Sequence, residues 1–281
     1  MSRYRFALKP RWIASHLFVL LLVVTMISAM FWQISRLHQK QARNAKVAAR
    51  SHEPTAPITS LTKPGAYDGA GALEFRRVTA TGTYQADQQV LVRSRSRDGA
   101  PGSWVLTPLV LADGQAVTIN RGWIANGGEF LRVPARFAPA TGTVTVTGLA
   151  RPSETRGSFG SRDPKTGTLT NLARADIKRL DQQVPEDLLP VFIQLETQKP
   201  GLTDQDPEPV PMPALDEGPH LSYAIQWAIF TTIALVGYPL ILRRRAREIE
   251  KESKRKVGPD PDPEAADESQ PGPVAEPEPA R

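Results

Sequence analysis

The chain has 281 residues, with 35 lysines and arginines against 29 aspartates and glutamates, for a formal net charge of +6. It contains no cysteine, which excludes disulfides, thiolate metal sites, thiol redox chemistry and cysteine nucleophiles. The positive charge clusters beside two strongly apolar blocks rather than spreading over a basic domain, so it points to a lipid surface and away from nucleic acid.

In chain order, a basic N-terminus (residues 1–11, with Arg3, Arg5, Lys9 and Arg11) leads into residues 12–34, which hold no Asp, Glu, Lys or Arg. A helix of that length crosses the roughly 30 Å hydrocarbon core. Trp12 and Trp32 fall near its ends, where indole rings favour the headgroup layer, and the length of the run speaks against a signal peptide. Residues 35–72 are read as a helix extension followed by a connection. Arg36, Lys40, Arg43 and Arg50 recur at helical spacing with no Pro or Gly before Pro54, which predicts that the helix continues past the bilayer with a basic face. Such a face meets lipid phosphates or an acidic partner, or is simply solvated.

Short β-favouring runs follow at 75–84, 89–93, 104–111, 115–124, 142–149 and 191–195. Asp113-Gly114 predicts a hairpin with a tight two-residue turn. The alternation of Thr143, Val144, Thr145, Val146 and Thr147 predicts a strand with one buried and one wet face. Residues 171–183, with Leu172, Ile177 and Leu180 among charged neighbours, form the predicted internal helix. Beyond this β-rich domain (73–200), prolines 207, 209, 211 and 213 in the segment 201–220 suit an extended spacer or a plain linker.

Residues 221–242 form the second predicted span, carrying Trp227 and a Gly237-Tyr238-Pro239 interruption and ending at Arg243, Arg244, Arg245 and Arg247. Asp204, Asp206, Glu208, Asp216 and Glu217 precede it, so the positive-inside bias puts the C-terminus in the cytoplasm, and with two spans the N-terminus too. The first span, with basic residues on both sides, votes less clearly. The segment 243–281 is basic at first and then a Pro-rich acidic tail, predicted to be disordered. The expected fold class is a membrane protein whose two transmembrane helices flank an extracytoplasmic, mainly antiparallel β domain. That domain is a partial barrel or sandwich with one or two short helices. The expected location is a bacterial plasma membrane, since no Arg-rich, Ser-rich transit segment precedes the first span.

Four segments are more specific. They are Phe31-Trp32-Gln33-Ile34-Ser35-Arg36 with Lys40; Phe75-Arg76 followed by Gly82-Thr83-Tyr84; Gly102 to Leu109 followed by Asn120-Arg121-Gly122-Trp123-Ile124; and His220-Leu221-Ser222-Tyr223 with Trp227. In order and position they resemble the Surfeit-locus family of cytochrome c oxidase assembly proteins, over nearly all of residues 12–245. Phe31 stands where many members of that family have Gly.

The resemblance implies an assembly factor for haem-copper oxidase, not an enzyme, which assists haem a insertion or stabilises the subunit that receives the haem. Its partners would be the oxidase core subunit, the haem a synthesis machinery and the lipid bilayer, and haem a would be a transient cofactor. A haem handler needs an apolar surface, an iron ligand and cations for the propionates. His220 is the hypothetical axial ligand at the outer end of the second helix, with Trp32 and Arg36 at the outer end of the first, and Arg36 or Arg121 as propionate partners. Gln33, Lys40, Asn120, Gly122, Trp123, Tyr223 and Trp227 are motif residues with structural or binding roles. Against these stand plainer readings: His220 as an interfacial hydrogen-bonding residue, Arg121 as a lock on a strand end, and Tyr223 and Trp227 as packing anchors. Two other functions compete, a permanent accessory subunit of the oxidase or its supercomplex, and a membrane-bound serine hydrolase. The sequence has neither a Gly-x-Ser-x-Gly elbow nor a His-Glu-x-x-His helix to favour the latter.

Overall fold

The computed structural model describes residues 4–126, 132–158 and 160–256, so the expected disordered tail lies outside the described residues. The chain divides into two compact units, residues 1–38 with 218–281, and residues 39–217. The helices are α1 (Pro10–Ser51), α2 (Ile177–Asp181) and α3 (His220–Lys256). The strands are β1 (Ala56–Pro57), β2 (Arg77–Tyr84), β3 (Val90–Arg97), β4 (Ala100–Leu111), β5 (Ala116–Ala125), β6 (Thr143–Pro152), β7 (Asn171–Leu172) and β8 (Leu188–Lys199).

In the helical unit, α1 and α3 are each long and apolar enough to cross a bilayer. Shielded positions fall at Val19, Val23, Met26, Met30, Gln33 and Leu37 in α1, and at Ala224, Trp227, Thr231, Ala234 and Tyr238 in α3. These steps of three and four are the repeat of helices packed side by side. The remaining faces are bare hydrocarbon: Phe18 and Leu21 are each 65% exposed and Ile233 is 62% exposed, a surface that lipid covers and water does not tolerate. Gly237-Tyr238-Pro239 does not interrupt α3, which runs through it. Pro239 removes one backbone donor, and with no water in the bilayer to reward exposure of the rest, the remaining helical bonds persist.

The β unit is built on one sheet of order β1-β2-β6-β8-β5-β4-β3-β7, in which β2 also pairs with β4. That extra pairing closes β2, β6, β8, β5 and β4 into a ring, more complete than the expected partial barrel. β4 makes closure possible because it is long. One edge runs along β5, while the other bonds β3 through residues 100–106 and then β2 through 109–111. Pro108, with no N–H to offer, sits where the partner changes. Gly82 marks the matching corner of β2, because a Cβ there would lie 2.0 Å from the Val110 carbonyl oxygen. Inside the ring, Val78, Leu109, Val117, Ile119, Val144, Val146, Val191 and Ile193 form the core. The predicted Thr/Val alternation holds, with Val144 and Val146 inward and the Thr81 and Thr145 hydroxyls 3.0 Å apart outside. A second cluster, with Val92, Leu106, Leu172, Ile177, Leu180 and Phe192, lies on the outer face beneath α2 and β7.

Three local expectations need correction. The β4–β5 hairpin forms, but its loop has three residues, not two. Gly114 takes a left-handed φ of 83° and donates to the Leu111 carbonyl at 3.1 Å, while the Asp113 side chain accepts from Gln115 N at 3.1 Å. The helix expected at 171–183 is confined to Ile177–Asp181. Before it, Asn171–Leu172 pairs with β3, Asp163 holds the Ala173 amide and Glu154 the Ala175 amide, so the chain stays extended until Asp176 caps α2 through Arg179 N. The basic face at the end of α1 is engaged within the β unit at Arg43 and Arg50, beside Lys46. Lys46 bonds Glu74 at 2.6 Å, Arg50 donates to the carbonyls of Gly71 and Glu74, and Arg43 lies over the Phe75 ring.

The proline-rich stretch is laid along the sheet. Arg97 bonds Glu208 at 2.8 Å and the Pro209 carbonyl at 3.0 Å, Gln194 donates to the carbonyls of Val210 and Pro211, and Asn44 to those of Leu215 and Asp216. Replacing Ile193 in the ring interior by Ala is expected to lower the unfolding free energy by about 2–5 kcal/mol, whereas Thr145→Ala on the wet face changes it by less than about 1 kcal/mol. Chemical denaturation of the purified protein, followed by tryptophan fluorescence, measures both.

Candidate functional site

The motif residues gather at two places. The first is the mouth of the helix pair. Here His220 Nδ1 lies 2.9 Å from Gln33 Oε1, joining the first turn of α3 to the second half of α1. Towards the other ends, the Tyr238 hydroxyl lies 2.6 Å from His16 Nδ1 and 3.1 Å from Ser15 Oγ. Residue numbers rise along α3 as they fall along α1, so the two helices are antiparallel. His16 is thereby occupied far from His220.

The Gln33 contact has a chemical consequence. A bond to Oε1 requires the proton on Nδ1, and in the tautomer that carries only that proton Nε2 keeps its lone pair. Nε2 has no hydrogen-bond partner among the described residues. Near Gln33 and His220 in the sequence, Phe31 and Trp32 on α1 and Leu221 and Tyr223 on α3 are among the exposed large apolar side chains. The Arg36 guanidinium lies 5.9 Å from the centre of the Trp32 ring. Trp227 packs edge-on against Phe230, in the seam rather than at the mouth. Among the described residues no three His, Asp or Glu side chains gather as a metal site.

The second place is a bulge in β5. Val105 pairs with Gly122 and Leu106 with Asn120, which leaves Arg121 as the extra residue. The bulge turns the Arg121 side chain inward, where it is 1% exposed. Its guanidinium donates to Asp206 at 2.8 Å and to the carbonyls of Phe137 and Ala138 at 2.7 and 3.2 Å. Asn120 Oδ1 accepts from Gly122 N, and Trp123 exchanges both backbone hydrogen bonds with Glu208 while its indole donates to the Arg95 carbonyl at 2.6 Å. Gly122 has φ 147°, and a Cβ on it would lie 2.5 Å from the Glu208 carbonyl oxygen, so only glycine admits the strand that crosses here. The Asn-Arg-Gly-Trp signature is therefore a clasp for residues 206–208, and Arg121 is held inside the β unit.

Lys40 is partly shielded within the β unit. Asp206 and Tyr238 were not legible as site residues, although an acid amid prolines and a tyrosine within an apolar span are each unusual enough to notice. Ser60 and Lys63 stand at Ser-x-x-Lys spacing, but the Ser60 hydroxyl donates to the Pro57 carbonyl at 2.7 Å and makes no hydrogen bond to Lys63.

Asp206→Ala leaves a buried guanidinium without its counter-charge and is expected to cost about 3–5 kcal/mol, with Arg121→Met/Asp206→Leu costing less than the sum of the two single changes. A double-mutant cycle by denaturant melts measures this. Tyr84, its ring 5.7 Å from the Arg121 guanidinium, donates to Gln198 at 2.8 Å. Burial pushes its phenol above the ordinary value, against the opposing pull of Arg121 and with a further push from Asp206. Stability is then full below the unfolded phenol pKa of about 10 and falls as pH rises towards the folded value. Tyr84→Phe is expected to lessen that alkaline loss in pH-dependent melts.

The SURF1 family model matches residues 20–232. A SURF1-like protein of Mycobacterium tuberculosis is 30% identical over 256 residues, covering 89% of this chain and 91% of its own length. A SURF1-like protein of Rickettsia felis is 24% identical over 82% of this chain and 97% of its own. The cytochrome oxidase assembly protein SHY1 of Saccharomyces cerevisiae is 29% identical over 48% of this chain and 36% of its own. A match that starts within the first apolar helix, covers the β domain and ends within the second establishes that this chain belongs to the SURF1 family.

Proposed function

We propose that the protein is an assembly factor for cytochrome c oxidase, which receives haem a transiently at the mouth of its helix pair and assists its insertion into the oxidase core subunit. It lies in the plasma membrane with both termini in the cytoplasm and the β domain outside, and performs no bond chemistry. Family membership, and the oxidase-assembly role that the yeast relative's name states, support this reading. The orientation rests on the arginines after the second span.

The observation that carries the haem reading is the Gln33–His220 contact. It joins two family motifs that lie far apart in the sequence and leaves one imidazole nitrogen free to coordinate. A lone imidazole suits iron already held in a macrocycle better than a bare ion, which needs several ligands. Exposed Trp32 and Tyr223 supply apolar ring surface, and Arg36 supplies a cation for a propionate. A bound haem would bring the iron, and His220 would supply the donor, Trp32 and Tyr223 the surface and Arg36 the charge. The oxidase core subunit and the haem a synthesis machinery are the partners, one receiving the cargo and the other delivering it.

The test is a reduced-minus-oxidised absorption spectrum of membranes from cells lacking the protein, complemented with wild type, His220→Ala or Gln33→Ala, with protein levels followed by immunoblot. The expected outcome is a loss of the haem a band in the deletion, full rescue by wild type, none by His220→Ala and partial rescue by Gln33→Ala. An unchanged haem a band and oxidase activity in the deletion would overturn the assembly role. Full rescue by His220→Ala would overturn the ligand alone.

A further inference from the structure

A strongly basic concavity of about 750 Å³ opens between the loop that follows β6 and the helix α2. Arg156, Arg162, Lys165, Arg174, Lys178 and Arg179 line it, against two carboxylates, Asp163 and Asp176. The two carboxylates offset only part of that charge: Asp163, its side chain 6% exposed, is already paired with Arg93 at 2.9 Å and holds the Ala173 amide, and Asp176 accepts from Arg179 N as the α2 cap while keeping its charge.

The cations, in contrast, are held by neutral groups. Arg156 donates to the Gly160 carbonyl and Arg174 to that of Ser161. Arg179 is 7% exposed, yet its guanidinium bonds only the carbonyls of Pro164 and Gly167 and the Gln183 amide, with no carboxylate in reach among the described residues. Carbonyl groups orient a guanidinium but do not cancel its charge, and a buried charge without a counter-ion is costly. Arg162 and Lys165 are exposed and have no ion-pair partner among the described residues. The lining therefore carries an excess of four positive charges around a preformed cavity with an uncompensated arginine in its wall.

We infer that this concavity is a binding site for a small phosphate-bearing polyanion. Its volume falls in the range of small-ligand pockets rather than of a groove for a folded partner. Several guanidinium forks match phosphate oxygens in pairs, and an anion at Arg179 supplies the counter-charge that the fold omits. The phosphates are those of a soluble oligophosphate or of lipid headgroups. This inference is independent of the haem reading, since it involves neither the helix pair nor His220.

The experiment uses the full chain in nanodiscs of phosphatidylcholine, titrated with tripolyphosphate and read by calorimetry and melting temperature. Wild type and Lys63→Ala, an exposed cation elsewhere in the β unit, are expected to bind and to melt higher when loaded. Arg162→Ala/Lys165→Ala, which melts normally when unloaded because neither side chain has a partner to lose, is expected to bind at least about tenfold more weakly. In phosphatidylglycerol nanodiscs, a higher wild-type melt that the double variant lacks, together with loss of the tripolyphosphate response, identifies lipid headgroups as the source. A tripolyphosphate response retained there identifies a soluble ligand. The proposal is overturned if wild type responds to neither, if the double variant responds as wild type does, or if an oligoglutamate peptide binds more tightly than tripolyphosphate.

Discussion

Arg121 is the largest of the fully buried side chains, and the β unit is arranged around satisfying it. A guanidinium removed from water costs several kcal/mol unless its donors find acceptors and its charge an opposite charge. Here the acceptors come from the turn at residues 137–138 and the charge from Asp206, so one side chain gathers β5, a loop and the strand-like segment beyond the barrel. The bulge that turns Arg121 inward also puts Gly122 where that segment crosses, and Trp123 where the segment finds its backbone partners. Bulge, glycine, indole and ion pair form a single device that fixes how the chain leaves the barrel.

The helical unit answers to a different constraint. Lipid gives little driving force for two apolar helices to choose a register, since hydrocarbon packs equally well against any Leu or Val. Polar contacts supply the choice. His220 and Tyr238 are eighteen residues apart, which places them about 27 Å from one another along a helix, close to the thickness of the hydrocarbon core. Their partners Gln33 and His16 are spaced almost identically on α1. Sliding either helix by a turn would break both contacts at once. The same contact that sets the register also holds the His220 imidazole at the mouth of the pair.

Much of this was legible in the sequence because it rests on local chemistry. Uncharged length marks a span whatever surrounds it, and alternating Thr and Val mark a two-faced strand. The hairpin at Asp113-Gly114 was legible as a hairpin, but its loop length depends on whether a neighbouring side chain rewards one more residue, as Asp113 does for Gln115. The helix at 171–183 failed for a comparable reason: carboxylates from 154 and 163, remote in pattern though near in space, hold the backbone extended. The candidate site divides along the same line. His220 and Gln33 are each visible in a short motif, yet only the antiparallel geometry pairs them. Arg121 could be read as a ligand or, slightly better, as a lock on a strand end, and the partner that holds it, Asp206, is a residue with no motif of its own.

The position of β8 carries a consequence for how the domain is made. It is the last strand in sequence, yet it sits in the middle of the sheet, parallel to β5 on one side and antiparallel to β6 on the other. A nascent chain that has emerged only as far as β6 can form the hairpins and the β2–β6 pairing, but it holds an open gap with two bare strand edges facing each other. Pairings so distant in sequence are slow to form, and bare edges invite the wrong neighbour. The final strand thus acts as a keystone, dropped into place only after everything before it has been delivered, and the arginine clasp that follows it in the chain closes over a barrel that is already whole.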